Sequence, residues 1–154
     1  SWLETNEFGD SYIKEELQGG YHYHFDQQFL EIFFNTGGKI ELYNYSIKKN
    51  DLIISGEMIP PKTIRLVHPH LDNVTSEGVI IHELGHYFDE KHQFSSSKQF
   101  TELYKKYRTL FNQKTKKEYF AECFKEYVGG HQEKVKPFHS YMKTITQKIR
   151  QKNK

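Results

Sequence analysis

Apolar positions along this chain keep two rhythms, alternation in the first half and helical spacing in the second. Ahead of the alternation, Phe25, Phe29, Ile32 and Phe33 recur on one helical face, and Gly37-Gly38 closes that element as C-terminal glycines do. Over residues 39–46 the pattern switches. Ile40, Leu42 and either Tyr43 or Tyr45 alternate with Glu41 and Asn44, which predicts a half-buried strand. Asn50-Asp51 marks a turn, and Leu52–Ile54 predicts a second short strand. Pro60-Pro61 interrupts before a third strand at Thr63–Val67, which Pro69 ends. Residues 1–20 are polar and mixed, finishing in Gly19-Gly20.

Beyond residue 75 the spacing becomes helical. Thr75 and Ser76 are N-cap candidates for a helix over about residues 79–91. Ser95-Ser96-Ser97 caps the next helix, whose stripe holds Phe100, Leu103, Tyr104, Tyr107, Leu110 and Phe111. A third helix is expected over about residues 117–128, closed by Gly129-Gly130. Pro137 starts a fourth, with Phe138, Tyr141, Met142, Ile145 and Ile149 on one face. The pattern predicts an α+β architecture, with a small mixed or antiparallel sheet followed by a helical half.

The chemistry concentrates in Ile80-Ile81-His82-Glu83-Leu84-Gly85-His86. Two histidines four apart on a helix project from one face, a turn apart, so both imidazoles can reach one Zn²⁺. Glu83 follows the first of them, where a carboxylate can take a proton from a water attacking a carbonyl. A third protein ligand is needed. Asp89 and Glu90 lie a further turn along and are expected as solvated acids. Glu118 is one candidate: with Glu122 at i+4 in Glu118-Tyr119-Phe120-Ala121-Glu122 it shares a face, so one of the two can ligate while the other hydrogen-bonds a ligand histidine. His92 is the alternative, in the longer spacing that metzincins use, with Met142 downstream. That spacing requires the backbone to swing out of the helix at Asp89, where Gly would be favoured, and this turn chemistry argues for Glu118.

Composition narrows the rest. The chain has 154 residues, enough for one domain over residues 1–154 with a real core, and 16% of them are aromatic. Its 22 Lys and Arg against 20 Asp and Glu give +2, too weak a charge to argue for nucleic acid. No run of about 18 apolar residues exists to span a membrane. A lone cysteine, Cys123, cannot form an intrachain disulfide and is expected buried. His22 and His24 read as surface decoration, and His68 and His70 as exposed loop histidines, with lining the cleft or holding the scissile-bond oxygen as the alternative. Lys134, Lys136, Lys143, Lys148, Arg150, Lys152 and Lys154 make a basic, solvated C-terminal face. An opening at Ser1 without Met reads as a mature or trimmed product.

Ser76-Glu77-Gly78-Val79-Ile80-Ile81-His82-Glu83-Leu84-Gly85-His86, followed by Glu118-Tyr119-Phe120-Ala121-Glu122-Cys123-Phe124, resembles the zinc peptidase domain of anthrax lethal factor and the related Pro-Pro endopeptidases. Those proteins carry S-E-G before the HExxH helix and E-F-F-A-E-[AS]-F after it. Ser55-Gly56 and Thr63-Ile64-Arg65-Leu66 look similar as well, so the match spans roughly residues 20–150. The resemblance implies a zincin-like fold and one zinc ion held by His82, His86 and Glu118. It makes Glu83 the general base and Glu122 the partner of a ligand histidine. It further implies a secreted monomeric metalloendopeptidase that binds an extended peptide or protein substrate along a sheet edge, expected at residues 39–46 or 63–67. The relatives place an oxyanion-stabilising Tyr seven residues before the ligand Glu. This chain has Phe111 there, which leaves Tyr107 to substitute or to belong to the core stripe. A non-catalytic zinc- or peptide-binding module that kept the fold is the reading from another class.

Overall fold

The computed structural model describes residues 2–4, 23–43, 47–67, 76–113 and 115–151. The readings placed on Gly19-Gly20, His22, Tyr45, His68, Pro69, His70, Thr75, Lys152 and Lys154 lie outside the described residues.

A four-stranded mixed sheet forms from β1 (Trp2–Glu4), β2 (Lys39–Tyr43), β6 (Thr63–Val67) and β5 (Gly56–Ile59), in that spatial order. β1 runs antiparallel to β2, β2 parallel to β6 and β6 antiparallel to β5. β3 (Ile47–Lys49) and β4 (Leu52–Ile54) make a separate hairpin. The helices are α1 (Gln28–Asn35), α2 (Ser76–His92), α3 (Lys98–Lys106), α4 (Lys116–Val128) and α5 (His139–Gln151), with 3₁₀ turns at Phe94–Ser96 and Gln132–Phe138. The coarse α+β class therefore holds.

Local chemistry explains the element ends. α1 stops in a Schellman arrangement: Gly38 N–H donates to the Phe33 carbonyl at 2.8 Å and Gly37 N–H to the Phe34 carbonyl at 3.0 Å. Gly37 takes φ +89°, which costs a side-chain-bearing residue 1 kcal/mol or so and a glycine nothing. Ser97 caps α3 by accepting from Phe100 N–H, and Thr115 caps α4 by accepting from Glu118 N–H, both at 3.1 Å.

Several expectations need correction. The first helix begins at Gln28, leaving Phe25 buried ahead of it. The stripe through Phe111 does not stay helical: Tyr107 leaves helical backbone at φ −119°, and Leu110 beyond it is 41% exposed. Pro137 lies inside a 3₁₀ turn, and regular helix starts at His139. Asp89 is not a solvated acid. It is buried and accepts from Ser95 N–H at 2.7 Å, satisfying a donor where the chain turns out of α2.

The core mixes aliphatic side chains with many Phe and Tyr rings. Phe29 meets Phe88 and Phe124 edge-on, and Phe100 contacts Phe120 and Phe138. Cys123 and Met142 are buried within it. Two glycines set the spacing of the layers that carry the site. A Cβ on Gly56 would come within 2.8 Å of Val79 Cγ1, so β5 lies directly on α2. A Cβ on Gly85 would stand 3.1 Å from Ala121 Cα and 3.2 Å from Phe124 Cβ, so α2 and α4 approach backbone to backbone.

Candidate metal centre

α2 presents His82 and His86 one turn apart, their ring centroids separated by 4.8 Å. Burial of Ile80, Ile81, Leu84 and Phe88 on its other sides fixes which face they occupy. α4 supplies the opposing carboxylate from its first turn. Thr115 and Glu118 have the spacing of a capping box, yet the Glu118 side chain spans the two imidazoles. Its Oε2 accepts from His82 Nε2–H at 2.8 Å and its Oε1 from His86 Nε2–H at 2.9 Å. One ligand atom from each of the three residues lies within 4.8 Å of the others, so the group can hold a metal ion.

The second nitrogen of His82 is also engaged, as Nδ1–H donates to Glu122 Oε1 at 3.1 Å. Carboxylates only accept, so this ring carries a proton on both nitrogens when no ion is present. The electrostatics agree. Burial alone would lower the His82 pKa, but hydrogen bonds to Glu118 and Glu122 outweigh it and raise it to about 9. Glu118 is held well below the ordinary carboxylate range by its bonds to His82 and His86, against the opposing effect of burial. For Glu122, burial pushes up, while the bonds to His82 and Lys125 bring the net below the ordinary value. The centre thus stabilises positive charge on the Nε2 side of His82, where a cation would replace the proton.

Glu83 sits between the two histidines in sequence and is only 7% exposed. Burial raises its pKa, partly offset by His82 and His86. It lines two clefts at the centre. One cleft, of about 460 Å³, is bounded by Ile54, Met58, Pro60, His86, Glu90 and Lys117. The other, of about 410 Å³, is bounded by Tyr23, Ser55, Val79, His82, Gln113 and Lys125. Gly56, Glu83 and Glu118 line both, so the two clefts adjoin at the centre.

That position corrects the expected sheet edge. Residues 39–43 and 63–67 form β2 and β6, which are both paired on two sides and cannot receive another strand. Among the described strands the edge beside the centre is β5.

His92 also stands apart. α2 continues unbroken through Asp89 to His92, which places His92 roughly 15 Å along the axis from His82 at 1.5 Å per residue. Its ring stacks on Phe94, with centroids 5.0 Å apart. Tyr107 packs its ring against Phe138, its carbonyl accepts from Tyr119 O–H, and it lines neither cleft. Phe111 lies edge-on to Tyr119.

Sequence reasoning missed Lys125, whose Nζ is 2.8 Å from Glu122 Oε2 and 3.5 Å from Glu126 Oε1. The i+3 spacing from Glu122 was the available signal. Tyr23, which its alternation with His22 and His24 places on the surface, is instead half-buried and accepts a hydrogen bond from Lys125.

Comparison of the chain with family models, with curated proteins and with solved structures gives no match.

Proposed function

We propose that this chain is a zinc-dependent metalloendopeptidase of the lethal factor-like type. A single observation carries the reading: one carboxylate from α4 spans the Nε2 atoms of two histidines a turn apart on α2, with the buried Glu83 beside them in an open cleft. Two imidazole nitrogens and one carboxylate oxygen form a donor set that suits Zn²⁺ and leaves a coordination position open. His82, His86 and Glu118 would hold the ion. When bound, zinc supplies Lewis acidity towards water and a carbonyl oxygen.

The chain's own residues do the rest. Glu122 accepts from Nδ1–H of His82 and so holds that ring in the tautomer whose Nε2 lone pair faces the ion. Glu83 takes the proton of the water that attacks the scissile carbonyl carbon. It passes that proton to the amine nitrogen as the C–N bond breaks. Its burial shields the proton from bulk water between the two transfers. The outer edge of β5 offers backbone N–H and C=O groups to an extended peptide, which would add to the sheet across the centre.

The test is cleavage of a diverse peptide mixture by the zinc-loaded protein beside Glu83→Gln. Cleavage that disappears in the variant, with zinc still bound at one ion per chain, supports the reading. Zinc bound with no cleavage of any peptide by the wild type would make the chain a zinc- and peptide-binding module instead.

A further inference from the structure

The β3–β4 hairpin stands beside the larger cleft and holds two large apolar side chains in water: Leu52 and Ile53 are each 65% exposed. An exposed leucine is ordinary on a protein surface, so the exposure by itself decides nothing. The register gives it meaning. Successive side chains on a strand alternate between faces, and residues directly opposite in an antiparallel pair share one. Lys49 pairs with Leu52, and Ile54 lies two residues beyond Leu52, so these three share a face while Ile53, opposite Lys48, takes the other.

Lys49 and Ile54 both line the larger cleft, together with Met58 and Pro60. Leu52 therefore carries the cleft's apolar wall outward to the hairpin tip. The ribbon is held in this attitude. Lys49 Nζ lies 3.1 Å from Glu57 Oε2 on β5, tying hairpin to sheet edge. Asn50 and Asp51, at φ 51° and 64°, form the two-residue left-handed turn that matches a twisted ribbon. Lys49 and Glu57 pair with each other, and Ile54 and Pro60 supply apolar surface to a lining that also includes Glu90 and Lys117.

We propose that Leu52 and Ile54 form an apolar subsite for a bulky apolar side chain of the bound peptide, on the His86–Glu90 side of the metal centre. This deepens the peptidase reading and rests on it for the placement of the peptide. Ile53, equally exposed but on the opposite face, has no part in the subsite and serves as the internal control.

The experiment uses the full chain, zinc-loaded and carrying Glu83→Gln, to retain peptides from a degenerate decapeptide mixture, which are then sequenced by mass spectrometry. Retained peptides are expected to be enriched in Leu, Ile, Met or Phe at one fixed position. Adding Leu52→Ser should cut that enrichment about tenfold, the scale on which an apolar pocket discriminates, while Ile53→Ser leaves it within about twofold. Both positions are exposed, so neither substitution threatens the fold. Retention without apolar enrichment, no retention, or an equal effect of the two serines overturns the subsite. The two readings fail separately. Cleavage by the wild type that ignores Leu52 removes the subsite and keeps the peptidase. Leu52-dependent retention without any wild-type cleavage keeps the subsite and removes the peptidase.

Discussion

The Glu122 carboxylate stands 3.1 Å from Nδ1 of His82, on the side of the ring away from Glu118. That contact fixes which nitrogen of His82 is left to face a metal. Replacing Glu122 with Ala frees the ring to rotate and to change tautomer, and it leaves Lys125 with Glu126 as its carboxylate partner beside Tyr23. Zinc affinity, measured against a chelator of known strength, should fall about 10–100-fold while the ion-to-chain ratio at saturation stays at one.

Gly85 lets α2 meet α4. Ala is intrinsically better than Gly inside a helix by about 1 kcal/mol. Here the added methyl would face Ala121 Cα and Phe124 Cβ at 3.1 and 3.2 Å, so the facing helix must give by a few tenths of an ångström. Overpacking of that kind costs about 1–3 kcal/mol and should win. Gly85→Ala is expected to lower Tm by several degrees and to weaken zinc binding as well, because the strain spreads the helices that carry the ligands. A rise in Tm would show that the crossing is looser than these distances say.

The metal-free centre should leave its mark on stability against pH. His82 is raised from an ordinary value of 6.5 to about 9, so its contribution is complete below pH 6.5 and is lost as pH climbs through 9. Glu118 and Glu122 are lowered, so theirs is present above the ordinary carboxylate range and lost as pH falls below it. Glu83 is raised by burial and acts in the opposite sense, costing stability once it must ionise. In EDTA, Tm should therefore peak near pH 5–6.5 and decline towards pH 9. With zinc saturating, the ion occupies the nitrogen that would otherwise titrate, and the alkaline decline should vanish. Superimposable EDTA and zinc profiles would count against ligation by His82.

Much of the centre was legible because it is written locally. His82 and His86 at i and i+4, and Glu118 and Glu122 at the same interval, need only helical geometry to share a face. What the sequence could not supply was which elements end up adjacent. The Ile40–Leu42 alternation reports a half-buried strand correctly, but whether that strand lies at an edge depends on β1 and β6 pairing with it across the chain. Gly56-Glu57-Met58-Ile59 has no alternation to announce a strand, and it is β5 that borders the clefts. Asp89 looked like a surface acid because its partner, the Ser95 N–H, becomes a neighbour only after the backbone turns at Gln93, at φ 59°.

Zinc titration of point variants decides whether His82, His86 and Glu118 together hold one zinc ion. One ion per chain is expected in the wild type and, at equal affinity, in His92→Ala. Glu118→Ala should lose affinity well beyond the 10–100-fold expected for an outer partner such as Glu122. Wild-type affinity in Glu118→Ala, or loss of the ion in His92→Ala, would rule out this ligand set.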